Sequence, residues 1–265
     1  MRLTVLGCTG SVTGPDSPAS GYLVTAPDAP PLVVDFGGGV LGALQRHANP
    51  NDVTVLLSHL HADHCLDIPG LLVWRRYGPD AVGERALLYG PADAALRLGV
   101  ASAEVGGQCD DISDTLEAHA WAEREPVKFG ELSVTPFRVF HPPTSYGLRI
   151  VDSSGAVLAY SGDTGVCQAV EELAQGADVF LCEASWTHDP DNRPVGVHLS
   201  GTEAGEIARR AGVGELLLTH IPPWTSREDV LAEARAAFNG PVRAVRADES
   251  FDVAKSGSAV RRQTR

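Results

Sequence analysis

The chain has 265 residues and a net charge of −13, with 21 lysines and arginines against 34 aspartates and glutamates. Its length fits one large α/β domain, and its acidic balance argues against a general attraction to nucleic acid or anionic membranes. No apolar run is long enough for a signal peptide or a bilayer span, and the five cysteines lack CxxC spacing, so we expect a cytoplasmic protein with reduced thiols.

The first part of the chain is predicted to be rich in β-structure, with strands over residues 3–6, 22–24 and 32–35. Residues 37–42 then match the G-x-G-x-x-G pattern of dinucleotide sites, but no βαβ unit surrounds them, so close backbone packing is the favoured interpretation. Asp35 ends its strand, where it is predicted either to orient a ligand histidine or to cap a helix.

An apolar strand over residues 53–57 leads into four metal-ligand types within six positions, in the pattern His-x-His-x-Asp-His. Side chains two apart in an extended segment point the same way, so His59 and His61 can converge on one point. Asp63 and His64 follow where a helix begins, and we expect them to face a second point nearby. Imidazole and carboxylate ligands suit zinc, and also manganese or iron. The motif therefore predicts two metal ions, and a metal-free polar turn is the less favoured interpretation.

The middle of the chain is predicted to hold a helix over residues 66–74 and a strand and a helix within 86–98. Residues 100–126 contain two adjacent glycines and six acidic residues, and we expect them to form a mobile insertion over the site. A strand over 127–140 ends at His141, and a hairpin built from 146–151 and 156–160 ends just before Asp163.

The second half alternates helices and strands: helix 166–175, strand 179–182, a helix from Ser200, strand 216–219 and a helix from Ser226. Four candidate ligands follow the carboxyl ends of predicted strands, where α/β sheets gather their ligands. They are His59, His141, Asp163 and His220. We expect residues 1–254 to form the domain and the basic tail 255–265 to be disordered.

This arrangement resembles the metallo-β-lactamase fold, an αββα sandwich of the α/β (α+β) class with one or two metals at its edge. The resemblance covers residues 3–252 approximately. It implies a first metal bound by His59, His61 and His141, a second metal bound by Asp63, His64 and His220, and Asp163 as the bridging carboxylate.

Within that superfamily, the residues from His59 to Leu72 and the triplet beginning at His198 resemble the ribonuclease Z branch. Ribonuclease Z has a long tRNA-gripping arm between the third-motif histidine and the bridging aspartate, whereas His141 and Asp163 are only 22 positions apart. Residues 14–21, 35–39, 73–77 and 220–225 are more similar to actinobacterial cyclic-nucleotide phosphodiesterases, which are atypical relatives of class II. The resemblance implies hydrolysis of 3′,5′-cyclic nucleotides, cyclic AMP in particular, to 5′-monophosphates by attack of a metal-bridged hydroxide.

Further roles follow from the same resemblance. His198 is the expected proton donor to the leaving oxygen, with Glu183 orienting it, although His198 also fits a simple neighbour of the Ser200 helix cap. Asp63 is expected to orient the nucleophile in addition to binding metal. Aromatic residues are more often core than binding surface, but some are expected to contact the substrate base. The candidates for substrate contact are Ser145, Tyr146, Trp186 and Trp224.

Several alternatives stay open on sequence alone. A tRNA 3′-processing endonuclease that grips RNA by another surface is the main one, although RNA is the less favoured partner. A thioester or lactone hydrolase would share the ligand set, and a non-enzymatic binding module would be favoured by a lost ligand. Ribonuclease Z relatives form dimers, so a homodimer is also open.

Overall fold

The computed structural model describes residues 1–78, 84–189, 191, 193–194 and 196–255. Two seven-stranded sheets pack face to face, and helices cover the outer face of each, which is the predicted αββα sandwich. Apart from Lys255, the predicted disordered tail lies outside the described residues, so the boundary at residue 254 stays a prediction.

The strands of the described residues are β1 (Arg2–Gly7), β2 (Gly21–Thr25), β3 (Leu32–Val34), β4 (Thr54–Leu56), β5 (Ala86–Gly90), β6 (Leu116–Ala120), β7 (Val127–Phe129), β8 (Leu132–Val139), β9 (Ser145–Val151), β10 (Val157–Tyr160), β11 (Val179–Glu183), β12 (Glu215–Thr219), β13 (Val242–Ala244) and β14 (Ser250–Asp252). The helices are α1 (Val40–Leu44), α2 (Ala62–Cys65), α3 (Ile68–Tyr77), α4 (Ala94–Ser102), α5 (Gln168–Ala174), α6 (Gly201–Ala211) and α7 (Arg227–Ala237). In the part of the chain that is described, none of these helices has the length and apolar character needed to cross a membrane.

The first sheet has the order β14-β1-β2-β3-β4-β5-β6, and the second has the order β13-β12-β11-β10-β9-β8-β7. Strands β3 to β6 run parallel in the first sheet, as do β10 to β13 in the second. Strand β8 runs in the same direction as β10, because both are antiparallel to β9. The carboxyl ends of these strands therefore lie at a common edge in each sheet, which is where such sheets bind ligands.

Apolar side chains fill three layers. The layer between the sheets includes Tyr22 and Tyr160, whose ring centroids lie 5.2 Å apart. A second layer, with Phe36 and Leu57, packs the first sheet against α1 to α4. A third layer, with Phe180, packs the second sheet against α5 to α7. Strands covered on both faces read as nearly continuous apolar runs, which explains why β11 and β12 were easy to predict.

Two sequence predictions need correction. The single strand predicted over 127–140 is a hairpin, because Phe129 pairs with Leu132 and Gly130 between them has φ 57°, a conformation that favours glycine in a two-residue turn. Within the insertion expected over residues 100–126, residues 116–120 instead form β6 of the first sheet. Strand β6 pairs in register with β5, and Trp121 Nε1 donates to the Leu57 carbonyl at 2.9 Å.

The glycines after β3 allow two backbone segments to touch. A Cβ at Gly37 would lie 2.0 Å from the Asp63 carbonyl oxygen, and Phe36 N donates to the His64 carbonyl at 2.7 Å. Ser20 N also donates to the Asp63 carbonyl, at 3.1 Å. These contacts confirm close backbone packing as the role of Gly37, and they fix the backbone from which Asp63 and His64 project, whereas a Cβ at Gly42 would meet nothing within 4 Å.

Gly37→Ala should lower the free energy of unfolding by about 1–3 kcal/mol, because the added Cβ must displace the Asp63 carbonyl. Gly42→Ala is the matched control, since its Cβ meets nothing within 4 Å and lies in a helix, so it should leave stability unchanged or slightly higher. Urea unfolding of both variants measures the difference. Equal stability of the two variants would contradict the packing argument.

Candidate metal centre

The candidate metal centre lies between the carboxyl ends of strands from both sheets. His59 follows β4 in the first sheet, His61 is the N-cap of α2, and the first turn of α2 contributes Asp63 and His64. From the second sheet, His141 follows β8, Asp163 follows β10 and His220 follows β12. The structure thus brings together all seven side chains that the resemblance implied as metal ligands, and it divides them into two groups.

The first group contains His59, His61, His141 and Asp163. His61 Nδ1 lies 3.1 Å from His59 Nε2 and 3.3 Å from His141 Nε2. Asp163 Oδ2 lies 3.6 Å from His59 Nε2 and 4.0 Å from His141 Nε2. A tetrahedral zinc ion with bonds of ~2.0–2.1 Å places its ligand atoms about 3.3–3.4 Å apart, so this donor set fits one ion.

The second group contains Asp63, His64, His220 and again Asp163. His220 Nε2 lies 3.1 Å from Asp63 Oδ2 and 3.2 Å from His64 Nε2. Asp163 Oδ2 lies 3.3 Å from His64 Nε2 and 3.4 Å from His220 Nε2. These separations also fit one tetrahedral ion, and Asp163 Oδ2 is the atom that both groups share.

Asp163 is 1% exposed, and its Oδ1 atom has no hydrogen-bond partner among the described residues. Leaving a buried polar atom unpaired costs ~1–3 kcal/mol, and more for a charged group. Burial alone would raise the Asp163 pKa, but the imidazoles of His220, His64 and His59 outweigh it and hold that pKa well below its usual range. A buried, ionised carboxylate with an unused oxygen fits a position beside bound cations.

A hydrogen bond to the second ring nitrogen orients four of the five histidines. In metal sites such contacts fix the tautomer and the direction of the ring. The contacts are His59 Nδ1 with Ser58 Oγ (3.1 Å), His64 Nδ1 with Asp35 Oδ2 (2.8 Å), His141 Nδ1 with the Val197 carbonyl (2.9 Å) and His220 Nδ1 with Ser185 Oγ (2.9 Å). Each of these four hydrogen bonds engages Nδ1, so Nε2 of that histidine faces the centre. His61 instead faces the centre with Nδ1.

Asp35 is fully buried beneath the second group. Its Oδ1 accepts from Ser58 N at 2.7 Å, and its Oδ2 accepts from Tyr160 Oη at 2.7 Å and Ser58 Oγ at 2.8 Å. The same Oδ2 contacts His64 Nδ1. The prediction that Asp35 orients a histidine is therefore confirmed, and the helix-cap alternative is not.

Burial lowers the pKa of His59, His61 and His141, which keeps these imidazoles neutral near pH 7. Neutral imidazole is the form that binds metal. For His64, burial acts in the same direction, but the carboxylates of Asp163 and Asp35 outweigh it and raise its pKa. A metal ion at this position would replace that proton, so metal affinity here should depend on pH.

The partly buried His198 pairs with the buried Glu183 next to the centre. His198 Nδ1 lies 3.0 and 3.1 Å from the two Glu183 carboxylate oxygens. Glu183 is held in turn by Thr164 N at 2.6 Å and by Ser185 Oγ at 3.0 Å. Burial would lower the His198 pKa, but Glu183 and Asp163 raise it to about 9. The pair therefore presents a protonated imidazole whose Nε2 is available for proton transfer.

The four candidates for substrate contact separate into two kinds. Ser145 is fully buried and donates to the Asp163 carbonyl at 3.1 Å, and Tyr146 packs in the layer between the sheets. Both side chains are buried and support the centre through this hydrogen bond and this packing, so we assign them to the framework and not to the substrate surface. Trp186 lies in the loop after β11, and Trp224, which is 61% exposed, follows His220 by four positions. Substrate contact by these two tryptophans stays a prediction.

Sequence reasoning identified Asp35 and Glu183 but missed the other side chains that support the ligands and these two acids. Ser58, Tyr160, Thr164 and Ser185 are small polar or aromatic side chains in buried segments, and their sequence pattern looks like ordinary core. The available signal was proximity along the chain, since Ser58 directly precedes His59 and Ser185 lies two positions after Glu183.

Comparisons with known proteins identify the family to which the chain is similar. The family model described as "Beta-lactamase superfamily domain" matches residues 33–221. Rv1339 of Mycobacterium tuberculosis, an uncharacterized protein, is 66% identical over 257 residues, covering 97% of this chain and 94% of that protein. The probable metallo-hydrolase YhfI of Bacillus subtilis is 31% identical over 266 residues, covering 97% of this chain and 98% of YhfI.

Structural comparison agrees with the sequence comparison. The crystal structure of YhfI superposes with a TM-score of 0.83 at 29% identity, covering 94% of this chain and 98% of that chain. The ribonuclease Z of Myxococcus xanthus is 28% identical over 295 aligned positions, which cover 91% of this chain and 94% of the ribonuclease.

Fully loaded protein should contain two zinc ions per chain, because seven ligand side chains in two groups exceed the needs of one tetrahedral ion. Asp163→Asn should retain fewer than one ion, since Asp163 is shared by both groups. Asp248→Asn, a surface carboxylate paired with Arg46, is the control and should retain two. Metal analysis after dialysis measures the stoichiometry, and one equivalent or less in the unaltered protein would contradict the two-ion prediction.

Proposed function

This chain is a metallo-hydrolase of the beta-lactamase superfamily, and we propose that it hydrolyses 3′,5′-cyclic nucleotides, cyclic AMP among them, to 5′-monophosphates at a site for two divalent ions. Zinc is the favoured metal for these ligands, with manganese or iron as alternatives. The proposed ligands of one ion are His59, His61, His141 and Asp163, and those of the other are Asp63, His64, His220 and Asp163.

Two bound ions would supply an activated water and neutralise the non-bridging oxygens of the phosphodiester. Asp63 is well placed to orient that water, because Ser11 N donates to its Oδ2 at 2.8 Å and fixes the carboxylate. As the bond between phosphorus and O3′ breaks, His198 donates its Nε2 proton to O3′. The nucleotide leaves with a free 3′-hydroxyl and a 5′-phosphate, while Glu183 holds the ring in place.

The observation that carries the choice of substrate is the connection between His141 and Asp163. All of it is described, and most of it forms the hairpin of β9 and β10, with Val151 paired to Val157. The turn is tight, because Asp152 Oδ1 accepts from Ser154 N at 2.9 Å and from Ala156 N at 3.0 Å. This hairpin leaves no residues for the tRNA-gripping arm of ribonuclease Z.

Two further observations support a small substrate. The alignment with the M. xanthus ribonuclease Z runs over 295 positions, more than the 265 residues of this chain, so that enzyme contains segments that this chain lacks. The net charge of −13 also removes the general attraction that a polyanion requires, whereas a mononucleotide needs only the local field of the metal ions.

The alternatives are weighed by the same residues. Similarity to a ribonuclease Z over most of both chains keeps tRNA 3′ processing as the principal alternative. A thioester hydrolase is less favoured, because a thiol has a pKa of ~8.5 and leaves without a proton donor. The pair of His198 and Glu183 suits the more basic alkoxide of a sugar hydroxyl.

A direct comparison of kcat/KM for cyclic AMP and for a precursor tRNA, with the same metal and salt, tests the substrate. We expect conversion of cyclic AMP to 5′-AMP without 3′-AMP, and negligible cleavage of the tRNA. Site-specific tRNA cleavage with no cyclic AMP hydrolysis would overturn the proposal and support the ribonuclease alternative.

His198→Ala should slow cyclic AMP hydrolysis by ~10²–10⁴-fold while retaining the metal ions, which is the usual effect of removing a general acid. The loss should be much smaller with bis(p-nitrophenyl) phosphate, because p-nitrophenolate needs little protonation. His119→Ala, which removes a partly exposed histidine paired with Glu117, is the control and should change neither rate. An equal loss on both substrates would remove His198 from the proton-donor role.

A further inference from the structure

His198 lies on a loop that leaves β11 and returns into α6. Backbone hydrogen bonds join the two ends of this loop, from Trp186 N to the Leu199 carbonyl at 3.3 Å and from Gly201 N to the Trp186 carbonyl at 3.2 Å. Glu183 contacts the end of the loop twice, through His198 Nδ1 and through Leu199 N at 3.4 Å. The position of His198 therefore depends on how the returning part of the loop is held.

Arg193 ties that returning part to α6. Its Nη1 donates to Glu203 Oε2 at 2.5 Å and its Nη2 donates to Glu203 Oε1 at 2.8 Å. Both side chains are only 17% exposed. A two-pronged, charge-assisted pair of this kind fixes direction as well as distance, and partial burial reduces its screening by solvent. Arg193 stands five positions before His198.

Glu203 connects this ion pair to the helix start. Ser200 N donates to Glu203 Oε2 at 2.9 Å, and Glu203 N donates to Ser200 Oγ at 3.2 Å, which makes a complete capping box. The same oxygen, Oε2, therefore accepts from both Arg193 and Ser200. Ser200 lies two positions after His198, so Glu203 anchors the chain on both sides of that histidine.

We propose that Arg193 is a positioning residue that, through Glu203, holds His198 where it can protonate the leaving oxygen. The proposal rests on the proposed function, in which His198 is the proton donor. Small displacements of a catalytic group have large effects, because a shift of ~1 Å can cost ~10²-fold in rate. Loss of the ion pair between Arg193 and Glu203, which acts as a clamp, should therefore reduce proton donation without removing the metal ligands.

Glu203→Gln separates the clamp from the helix cap, because glutamine serves in a capping box as glutamate does but cannot form the charged pair. Arg193→Gln removes the same pair from the other side. Arg210→Gln is the matched control, since Arg210 lies on the same helix and pairs with Glu171 at 2.9 Å, away from the loop.

Kinetics with two leaving groups test the proposal. Glu203→Gln and Arg193→Gln should each lower kcat for cyclic AMP about tenfold and kcat for bis(p-nitrophenyl) phosphate less than about threefold. The kcat of the double variant should be no lower than that of the less active single variant, because both changes remove the same interaction. Arg210→Gln should behave as the unaltered protein. Equal losses on both substrates, or no loss on either, would overturn the positioning role.

Hydrogen exchange gives a readout that is independent of activity. The Leu199 amide should exchange about tenfold faster in Glu203→Gln and in Arg193→Gln than in the unaltered protein and in Arg210→Gln, because its 3.4 Å hydrogen bond to Glu183 opens more often when the loop is no longer tied to α6. Unchanged exchange at Leu199 would overturn the clamp. If the unaltered protein cleaves aryl phosphodiesters but no cyclic nucleotide, the substrate proposal fails. The role of Arg193 is then tested by comparing the loss of kcat on phenyl and on p-nitrophenyl phosphodiesters.

Discussion

Asp163 places a negative charge in a region that solvent does not reach. Groups from both sheets must compensate this charge. An isolated buried carboxylate is very costly, so it persists only with close hydrogen-bonding or oppositely charged partners. Four imidazole nitrogens of the ligand set lie within 4.0 Å of its Oδ2 atom. Those imidazoles come from both sheets, so the charge can be satisfied only where the two sheets meet. The geometry of the site follows from that requirement.

Two other buried carboxylates each orient a different histidine of the site. Asp35 follows β3 in the first sheet and orients His64, whereas Glu183 ends β11 in the second sheet and orients His198. Ser185 joins the two parts of the centre, because its hydroxyl contacts both Glu183 and His220. Metal binding and proton donation are thus supported by separate acids, and the Ser185 hydroxyl links Glu183 to the ligand His220.

The sequence predicted the ligands well, because metal chemistry restricts residue type and spacing together. The His-x-His-x-Asp-His motif and the strand ends before His141, Asp163 and His220 were sufficient to place seven side chains at one edge. The same reasoning failed where the chain gives no chemical signal. The apolar alternation of β7 continues into β8, so the turn at Gly130 was hidden. Tyr160 looks like core in the sequence, and the contact of Arg193 with Glu203 depends on a loop path that no periodicity encodes.

The ligands come from both halves of the chain, and this affects how the molecule reaches its folded state. The short motif at the end of β4 belongs to the first sheet, whereas His141, Asp163 and His220 belong to the second. Neither half alone holds either of the two groups, so high metal affinity arises only after the sheets have docked. Ions that bind the docked form shift the folding equilibrium toward it and act as a cross-link between distant parts of the chain. Bound ions would therefore stabilise the assembled sandwich more than either half alone.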